Sequence, residues 1–445
     1  MSRPASRIHL AAAAIILFSL APAPVQAQTP ATSPGALRSY STIYSIGVEW
    51  DIAGDANHNA VASVDYRVAG TIGWKSAMPL MRVDYNAANM LAGSVLFLAP
   101  RTLYEIRLTL SDPDGGAAVR EVTQATRALP ALPAAGRTMH VIPGTGGGLG
   151  TAVDPFKGIA AAQAAAQAGD ILLVHAGDYG GRIRFDKPGA VDNYLVWKAA
   201  GDGEVTMNGI DIAASHIWLE GLTIRNQTYA TFSIAAPDDV VVSRCGFYNN
   251  HYSIYLQQGG TNWYIADNTI VGDTDALSES FDGEGIELNQ TSGHTVAHNS
   301  ITNVADGISY PLRNVDILGN DIFDTSDDGI EGDYGYANVR MWGNRIHNAP
   351  APVPAAPTEL TAKAVTGTRI DPAWRDNSDG ETGFAVERSA DGTTFVQVAT
   401  VGAGVVNYAN TGLKQNRTYY YRVRAFNTAG HSAFSNVVTM RTLRK

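Results

Sequence analysis

One short phrase recurs about every 22 residues between positions 216 and 348. Its copies read HIWLEGLTIRN, DVVVSRCGFYNN, NWYIADNTIVG, HTVAHNSITN, NVDILGNDIF and NVRMWGNRIHN. Aligned on one apolar position they superimpose Ile224, Phe247, Ile270, Ile301, Ile322 and Ile346, and two residues earlier stand Leu222, Cys245, Asn268, Asn299, Asn320 and Asn344. A second apolar piece recurs between the phrases, centred on Ile234, Ile254, Ile286, Ile308 and Ile330. A period of this length means a solenoid, because one unit cannot bury its apolar side except on its neighbours. The pieces are strand-length and are broken by Gly, Asn and Asp, which points to β-coils and away from helical hairpins. The Asn column predicts an inward ladder in which each amide bonds the one above and below. Cys245 falls in that column and is read as buried packing.

These phrases resemble the coils of a right-handed parallel β-helix of the pectate-lyase-like superfamily. The segment HVIPGTGGGLGTAVDPFKGIAAAQAAAQAGDILLVHAGDYGG resembles the entry of such a helix. In it, Phe156, Ile159, Ala160 and Gln163 start a short helix ending at Gly169 that caps the first coil. The GTGGGLGT run lacks the GKS or GKT ending of a phosphate loop and is read as a plain loop. The β-helix is expected over 138–349.

Alternating strand text flanks the solenoid on both sides. Residues 37–128 carry a core Trp50 and a Leu98 six residues before Tyr104; residues 354–443 carry Trp374 and a Leu413 six before Tyr419. A buried Trp and a Tyr at a strand corner are marks of an immunoglobulin-like sandwich. The stretches RDNSDGETGFAVERSADGTTF and TYYYRVRAFNTAGHSAFSN resemble a fibronectin type III module, and the first sandwich resembles the same fold. The expected class is therefore all-β, a right-handed parallel β-helix between two fibronectin-like sandwiches. The Pro-rich segments LPALPAAGR and APAPVPAAP separate the three parts, and residues 28–36 read as a mobile leader.

Residues 1–27 read as a secretory signal, with Arg3 and Arg7, an apolar run from Leu10 to Leu20 and the small-residue ending Val25-Gln26-Ala27. The chain has a formal charge of −10, and loss of the two leader arginines takes a mature form to −12. That charge argues against nucleic acid as a partner. No apolar run is long enough for a comfortable membrane span. A single cysteine and an export signal fit a bacterial protein that is secreted or periplasmic, and it is expected to be monomeric.

Chemistry concentrates between Asp267 and Asp333, where fifteen acidic residues meet one basic residue, Arg313. If Ile286, Ile308 and Ile330 point inward, alternation places Glu287, Ser309 and Glu331 outward in one column, with Asn289, Pro311 and Asp333 in the next. At the preceding turn stand Glu284, Asp306 and Asp328, one per coil. Coils lie about 4.8 Å apart, so such carboxylates repel unless a cation or proton sits among them. Calcium suits the turn column Glu284, Asp306 and Asp328. The inserted turn VGDTDALSESFDGE adds Asp273, Asp275, Glu279 and Asp282 nearby. Glu331 and Asp333, two apart on one strand and roughly 6.5–7 Å between Cα positions, are near the spacing of an inverting glycosidase pair.

DTSDDGIEGD resembles the Asp-rich site of polygalacturonase-like hydrolases, without their His-containing strand or Arg-x-Lys segment. Resemblance to the polysaccharide lyases of this fold instead implies calcium on a uronate and a basic side chain as proton acceptor, here Arg313. Candidate catalytic residues are thus Glu331, Asp333, Glu287 and Arg313. His251, Tyr252, Tyr255 and Tyr310 are candidates to hold a sugar ring. The readings are a polysaccharide-cleaving enzyme, by β-elimination or by hydrolysis, or a non-catalytic glycan-binding or adhesion protein.

Overall fold

The computed structural model of the protein describes residues 29–276, 281–347, 353–378, 380–427 and 430–444. The signal segment 1–27 and Glu279 lie outside the described residues. Two compact units divide the chain, Met1–Ile346 and His347–Lys445. Among the described residues no helix is long and apolar enough to cross a membrane.

The first unit opens with a sandwich of two antiparallel sheets. One sheet runs Thr32–Ser41, Ile46–Gly54, Met90–Val95 and Met81–Val83; the other runs Lys75–Ser76, Val61–Val68, Leu103–Ser111 and Ala118–Ala125. Strand Leu103–Ser111 alternates strictly, placing Tyr104, Ile106, Leu108 and Leu110 in the core with Trp50. The Tyr104 hydroxyl accepts the Ala99 N–H at 3.0 Å, the expected tyrosine corner. The leader is shorter than expected: Thr32 pairs with Gly54 and Ser33 with Ala53, so these residues are strand. The second unit repeats the pattern. Trp374 is buried, and the Tyr419 hydroxyl accepts the Lys414 N–H at 3.1 Å.

Between them, residues 138–347 wind into a parallel solenoid of three faces. The first face stacks Thr138–Ile142, Ile171–Val174, Leu195–Ala199, Ile217–Glu220, Val241–Ser243, Tyr264–Ala266, Thr295–Ala297, the end of Asp306–Leu318, and Ala337–Trp342. The second face has eight strands, from Gly177–Asp178 to Arg345–His347. The third stacks Ile183–Phe185, Ile210–Ile212, Tyr229–Ser233, Tyr252–Tyr255 and the starts of Glu284–Ser292 and Asp306–Leu318, and Ile330 bridges on to Ile308. A seven-residue helix, Ile159–Ala165, buries Ile159 and Ala162 against the first coil, ending before the expected Gly169.

The aligned isoleucines are in register on the second face, with Ile224 beside Phe247, then Ile270, Ile301 and Ile322. On the third face the expected Ile234 is replaced in the column by Thr231, which pairs with Ile254. At the corner entering that face stands a column of Gly285, Gly307 and Gly329. A Cβ on Gly307 would come within 2.6 Å of the Ile322 side chain, so the second-face isoleucines occupy the space a side chain there would need.

The asparagine ladder forms as expected. Each amide nitrogen donates to the next carboxamide oxygen at 2.9 Å, from Asn268 to Asn299, Asn320 and Asn344. The second N–H of each goes to a backbone carbonyl, and each of Asn299, Asn320 and Asn344 also takes a backbone N–H through its oxygen. The Cys245 N–H extends the ladder to Asn268 at 3.0 Å, and burial pushes the Cys245 thiol up to about 12, consistent with packing. Asn299→Ala removes the acceptor of the buried Asn268 backbone N–H and Asn268 amide and the side-chain donor to the Ile265 carbonyl, and is expected to cost about 2–3 kcal/mol. Urea unfolding checks this, and a loss below about 0.5 kcal/mol would mean the ladder only fills space.

The first sandwich lies on the first face of the solenoid. Ser94 Oγ donates to Asn338 Oδ1 at 2.8 Å, and Met90 and Ala92 pack with Ala337. Phe97 meets Trp342 edge to face at 5.7 Å.

Candidate functional site

The third face carries the candidate residues. Its outward column, read by register, is Arg184, Asp211, Phe232, Tyr255, Glu287 and Ser309, with Glu331 following the bridge residue Ile330. Aromatic side chains occupy the middle coils. Tyr229 and Tyr252 stack at 5.1 Å, Tyr252 and Tyr255 at 5.4 Å, and Phe232 lies 4.7 Å from Tyr229. Arg182 closes the N-terminal side, bonded to Asp211 at 2.5 Å and lying over Phe232. Tyr229 and Phe232 were missed in the sequence. The register that aligns Tyr255 with Phe232 is the signal that finds them.

The aromatic shelf runs directly into carboxyls. Glu284 and Asp306 pair in register at the start of adjacent strands and are each 4% exposed, while Glu287 is 7% exposed. Ser309 Oγ donates to Glu284 Oε2 at 2.7 Å. Burial pushes Glu284 up to about 8, with the charges of Asp306, Glu287 and Glu331 adding to it. Burial and the Glu331 charge push Glu287 up to about 7. Burial raises Asp306 to about 6, and Glu331 is raised by burial and by Asp306 and Asp333. The physical cause throughout is desolvation of carboxyls stacked one coil apart, which favours the neutral form.

Around the shelf, Tyr252 donates its hydroxyl to Asp282, and His251 sits between Asp273 (Nδ1, 3.0 Å) and Asp282 (Nε2, 3.3 Å). Burial works to lower His251, but the two carboxylates outweigh it and its net shift is upward. Tyr310 faces Tyr334 at 5.0 Å, edge to face. The four expected sugar-holding residues are thereby all on or beside the third face, with Tyr310 at its C-terminal end.

Three expectations are corrected. Asp333 is not on a strand with Glu331: the third face ends at the Ile330 bridge, and Asp333 lies in an exposed turn. Asn289 does not stack on Pro311, because Thr291 does; Asn289, Gln290 and Tyr310 have φ of 44°, 58° and 55°, and these left-handed residues bend the strands at the corner. Arg313 is not available as a base. Its Nε is 3.1 Å from Glu49 of the sandwich, and its guanidinium lies 4.6 Å over Tyr336.

The turn acids come together differently from the expected set. Asp306, Asp327 and Asp328 each present an oxygen within 4.8 Å of the others, and the Asp328 N–H bonds Asp306 Oδ1 at 2.8 Å. Glu284 stands apart from this trio, turned to Ser309. The trio is all oxygen, with Asp306 buried and Asp327 and Asp328 exposed, which fits a hard divalent cation such as calcium. Asp327 was the missed member, one residue before Asp328.

Residues 355–441 match the family model described as fibronectin type III domain. The C-terminal module is a fibronectin type III domain. Residues 192–351, most of the solenoid, match the model described as periplasmic copper-binding protein (NosD). Two curated relatives share stretches about the length of one type III module. Amylopullulanase of Thermoanaerobacterium saccharolyticum is 36% identical over 90 residues, 20% of this chain and 7% of that protein. Exoglucanase B of Cellulomonas fimi is 34% identical over 107 residues, 23% of this chain and 9% of that protein. The chain thus spans under a tenth of either relative. Among solved structures, pectate lyase Pel9A is 18% identical, covering 43% of this chain and 54% of its own, with a TM-score of 0.37. A β-1,2-glucanase from Parabacteroides distasonis is 29% identical, covering 22% and 14%, with a TM-score of 0.20.

Proposed function

We propose that the chain is an exported carbohydrate-acting β-helix protein that lays a glycan along its third face and hydrolyses it between Glu287 and Glu331. The observation that carries this reading is the shelf of stacked tyrosines running in register into buried, proton-holding carboxyls. Aromatic faces pack the apolar faces of sugar rings. Glu287 and Glu331 stand two coils apart, about 9–10 Å between Cα positions, with small Ser309 between them. That gap is near the upper end for an inverting pair with room for water. Glu287, raised to about 7, holds a proton for the leaving oxygen. Glu331 at the outer end takes the proton of the attacking water; Asp306, Asp327 and Asp328 would hold calcium, which would fix the adjoining turn. The relatives named amylopullulanase and exoglucanase B, each similar over only a short stretch, and the periplasmic family description support an exported protein acting on carbohydrate. β-Elimination is the weaker reading, since Arg313 is committed to Glu49.

A non-catalytic glycan-binding role rests on a specific observation of its own. Glu284, Glu287, Asp306 and Glu331 are all shifted upward, so a face beside the aromatic shelf that holds protons more readily than ordinary carboxylates supports hydrogen bonding to a neutral glycan without cleavage.

Incubation of the full chain with neutral glycans and polyuronates, read by new reducing ends and by ultraviolet absorbance of unsaturated products, decides among these. Hydrolysis of a neutral glycan is expected, with Glu287→Gln lowering kcat by roughly 10²–10⁴-fold. Undiminished activity in Glu287→Gln sinks the acid assignment. Retention of a glycan by the wild type without any new ends moves the reading to binding.

A further inference from the structure

One cavity of about 430 Å³ is walled by all three parts of the first unit. These are a turn of the sandwich, the linker that follows it, and the corner where the solenoid passes from its third to its first face. That volume is in the range of small-molecule sites. The walls are fixed by hydrogen bonds. Arg101, in a left-handed turn with φ of 50°, donates its N–H to the Arg127 carbonyl at 3.1 Å. The Arg127 guanidinium reaches Asp239 and, at 3.2 Å, the Asn262 carbonyl, which ties the start of the linker to two coils. Several polar groups at this cavity lack partners. Among the described residues the Arg101 guanidinium, the Tyr194 hydroxyl and the Asp192 carboxylate make no hydrogen bond or ion pair. His216 Nδ1 is 3.9 Å from Asp239 Oδ2, too far for a hydrogen bond, and its side chain is only 19% exposed. Polar groups removed from water normally find partners within the protein.

The charges select the class of ligand. Arg127 and Asp239 cancel in their ion pair, and Arg101 stands against Asp192. An anion gains from Arg101 and loses to Asp192, and a cation does the reverse. A neutral molecule dense in hydroxyls satisfies both, because each hydroxyl donates to a carboxylate and accepts from a guanidinium or a phenol. Burial pushes the Tyr194 hydroxyl up to about 12, so it remains a donor through the neutral range. Leu129 and Leu132 of the linker stay 44% and 42% exposed and give an open apolar wall for the C–H face of a ring. We propose that this cavity binds a neutral monosaccharide, with Arg101, Asp192 and Tyr194 holding its hydroxyls. It shares no residue with the aromatic shelf of the third face, and it holds a sugar whether or not that face cleaves one.

The test is titration of the full chain with D-glucose, D-galactose, D-mannose and D-xylose, followed by saturation-transfer NMR and calorimetry. At least one sugar is expected to bind. Arg101→Ala and Asp192→Asn should each weaken it about 10-fold or more, because a charged hydrogen-bond partner is lost or neutralised. Tyr194→Phe should weaken it by about 3–10-fold. That variant keeps the ring that meets Trp218 edge to face at 5.8 Å, and melting curves establish that each variant is folded. Tyr252→Ala, on the third-face shelf, should leave the affinity unchanged. D-Glucuronate, which adds a carboxylate, should bind more weakly than D-glucose. No binding of any of the four sugars by the wild type overturns the proposal. Undiminished affinity in both Arg101→Ala and Tyr194→Phe, or loss in Tyr252→Ala, places the sugar elsewhere and overturns it equally. Tighter binding of D-glucuronate than of D-glucose overturns the neutral class of ligand.

Discussion

Arg340→Ala is expected to destabilise the first unit by about 3–5 kcal/mol, the largest loss of any single substitution considered. Arg340 is 6% exposed and Asp316, whose Oδ1 is 2.5 Å from its Nε, is fully buried. The guanidinium also donates to Asn314 Oδ1 at 2.8 Å and to Ser94 Oγ of the sandwich at 3.2 Å. Thr42 Oγ1 of the sandwich donates to Asp316 Oδ2 at 2.5 Å. Removing the arginine strands a carboxylate in the interior with one neutral donor, and the cost is that of an uncompensated buried charge. Sandwich and solenoid share this network, so urea unfolding of Arg340→Ala should also split one transition into two. The double variant Arg340→Met with Asp316→Leu should recover most of the loss, because apolar isosteres of a buried pair are often neutral. A loss under about 1 kcal/mol in Arg340→Ala would mean that water reaches Asp316 and that the sandwich rests loosely on the first face.

What was legible in the sequence is what repeats or is local. The coil period, the amide ladder and both tyrosine corners need only spacing, and all stand as read. Thr231 was missed because apolarity drew attention to Ile234. Spacing held the answer, since Phe247 to Ile254 and Ile301 to Ile308 are seven apart, as are Ile224 and Thr231. Strand alternation failed at Asn289 and Asp333 for a different reason. At Asn289 left-handed residues bend the corner between the third and first faces, and a period-two pattern cannot cross such a bend; at Asp333 the strand has already ended at the Ile330 bridge. Arg313 illustrates the limit of local reading. It looked free among acids, but its partner Glu49 belongs to a sandwich far away in the chain. Likewise Asp327 joins the turn trio through the fold of one loop, where one-per-coil counting offered only Asp328.

The second large effect is in how stability follows pH. Glu284 rises from an ordinary 4.5 to about 8, Glu287 to about 7, and Asp306 to about 6. Between the unfolded and folded values the native state holds protons the unfolded chain has released. Stability is therefore greatest on the acid side and falls as pH rises from about 4.5 to about 8. Glu284→Gln keeps an acceptor for Ser309 and cannot ionise. It should be near neutral at about pH 5 and gain on the order of 3 kcal/mol at about pH 8.5, flattening the curve. Urea midpoints measured across that range check it; an unchanged slope in Glu284→Gln would show that the carboxyl is hydrated and ionises freely. Calcium enters the same balance. At about pH 8.5 Asp306 is ionised and the ion replaces the lost proton, so millimolar calcium should raise the melting temperature of the wild type. At about pH 5 Asp306 keeps its proton and the shift should shrink, because a cation and a proton compete for one oxygen. Asp306→Asn should abolish the calcium shift while keeping the part of the Glu284 slope that comes from burial, its largest cause, which separates the turn trio from the buried carboxyl behind it.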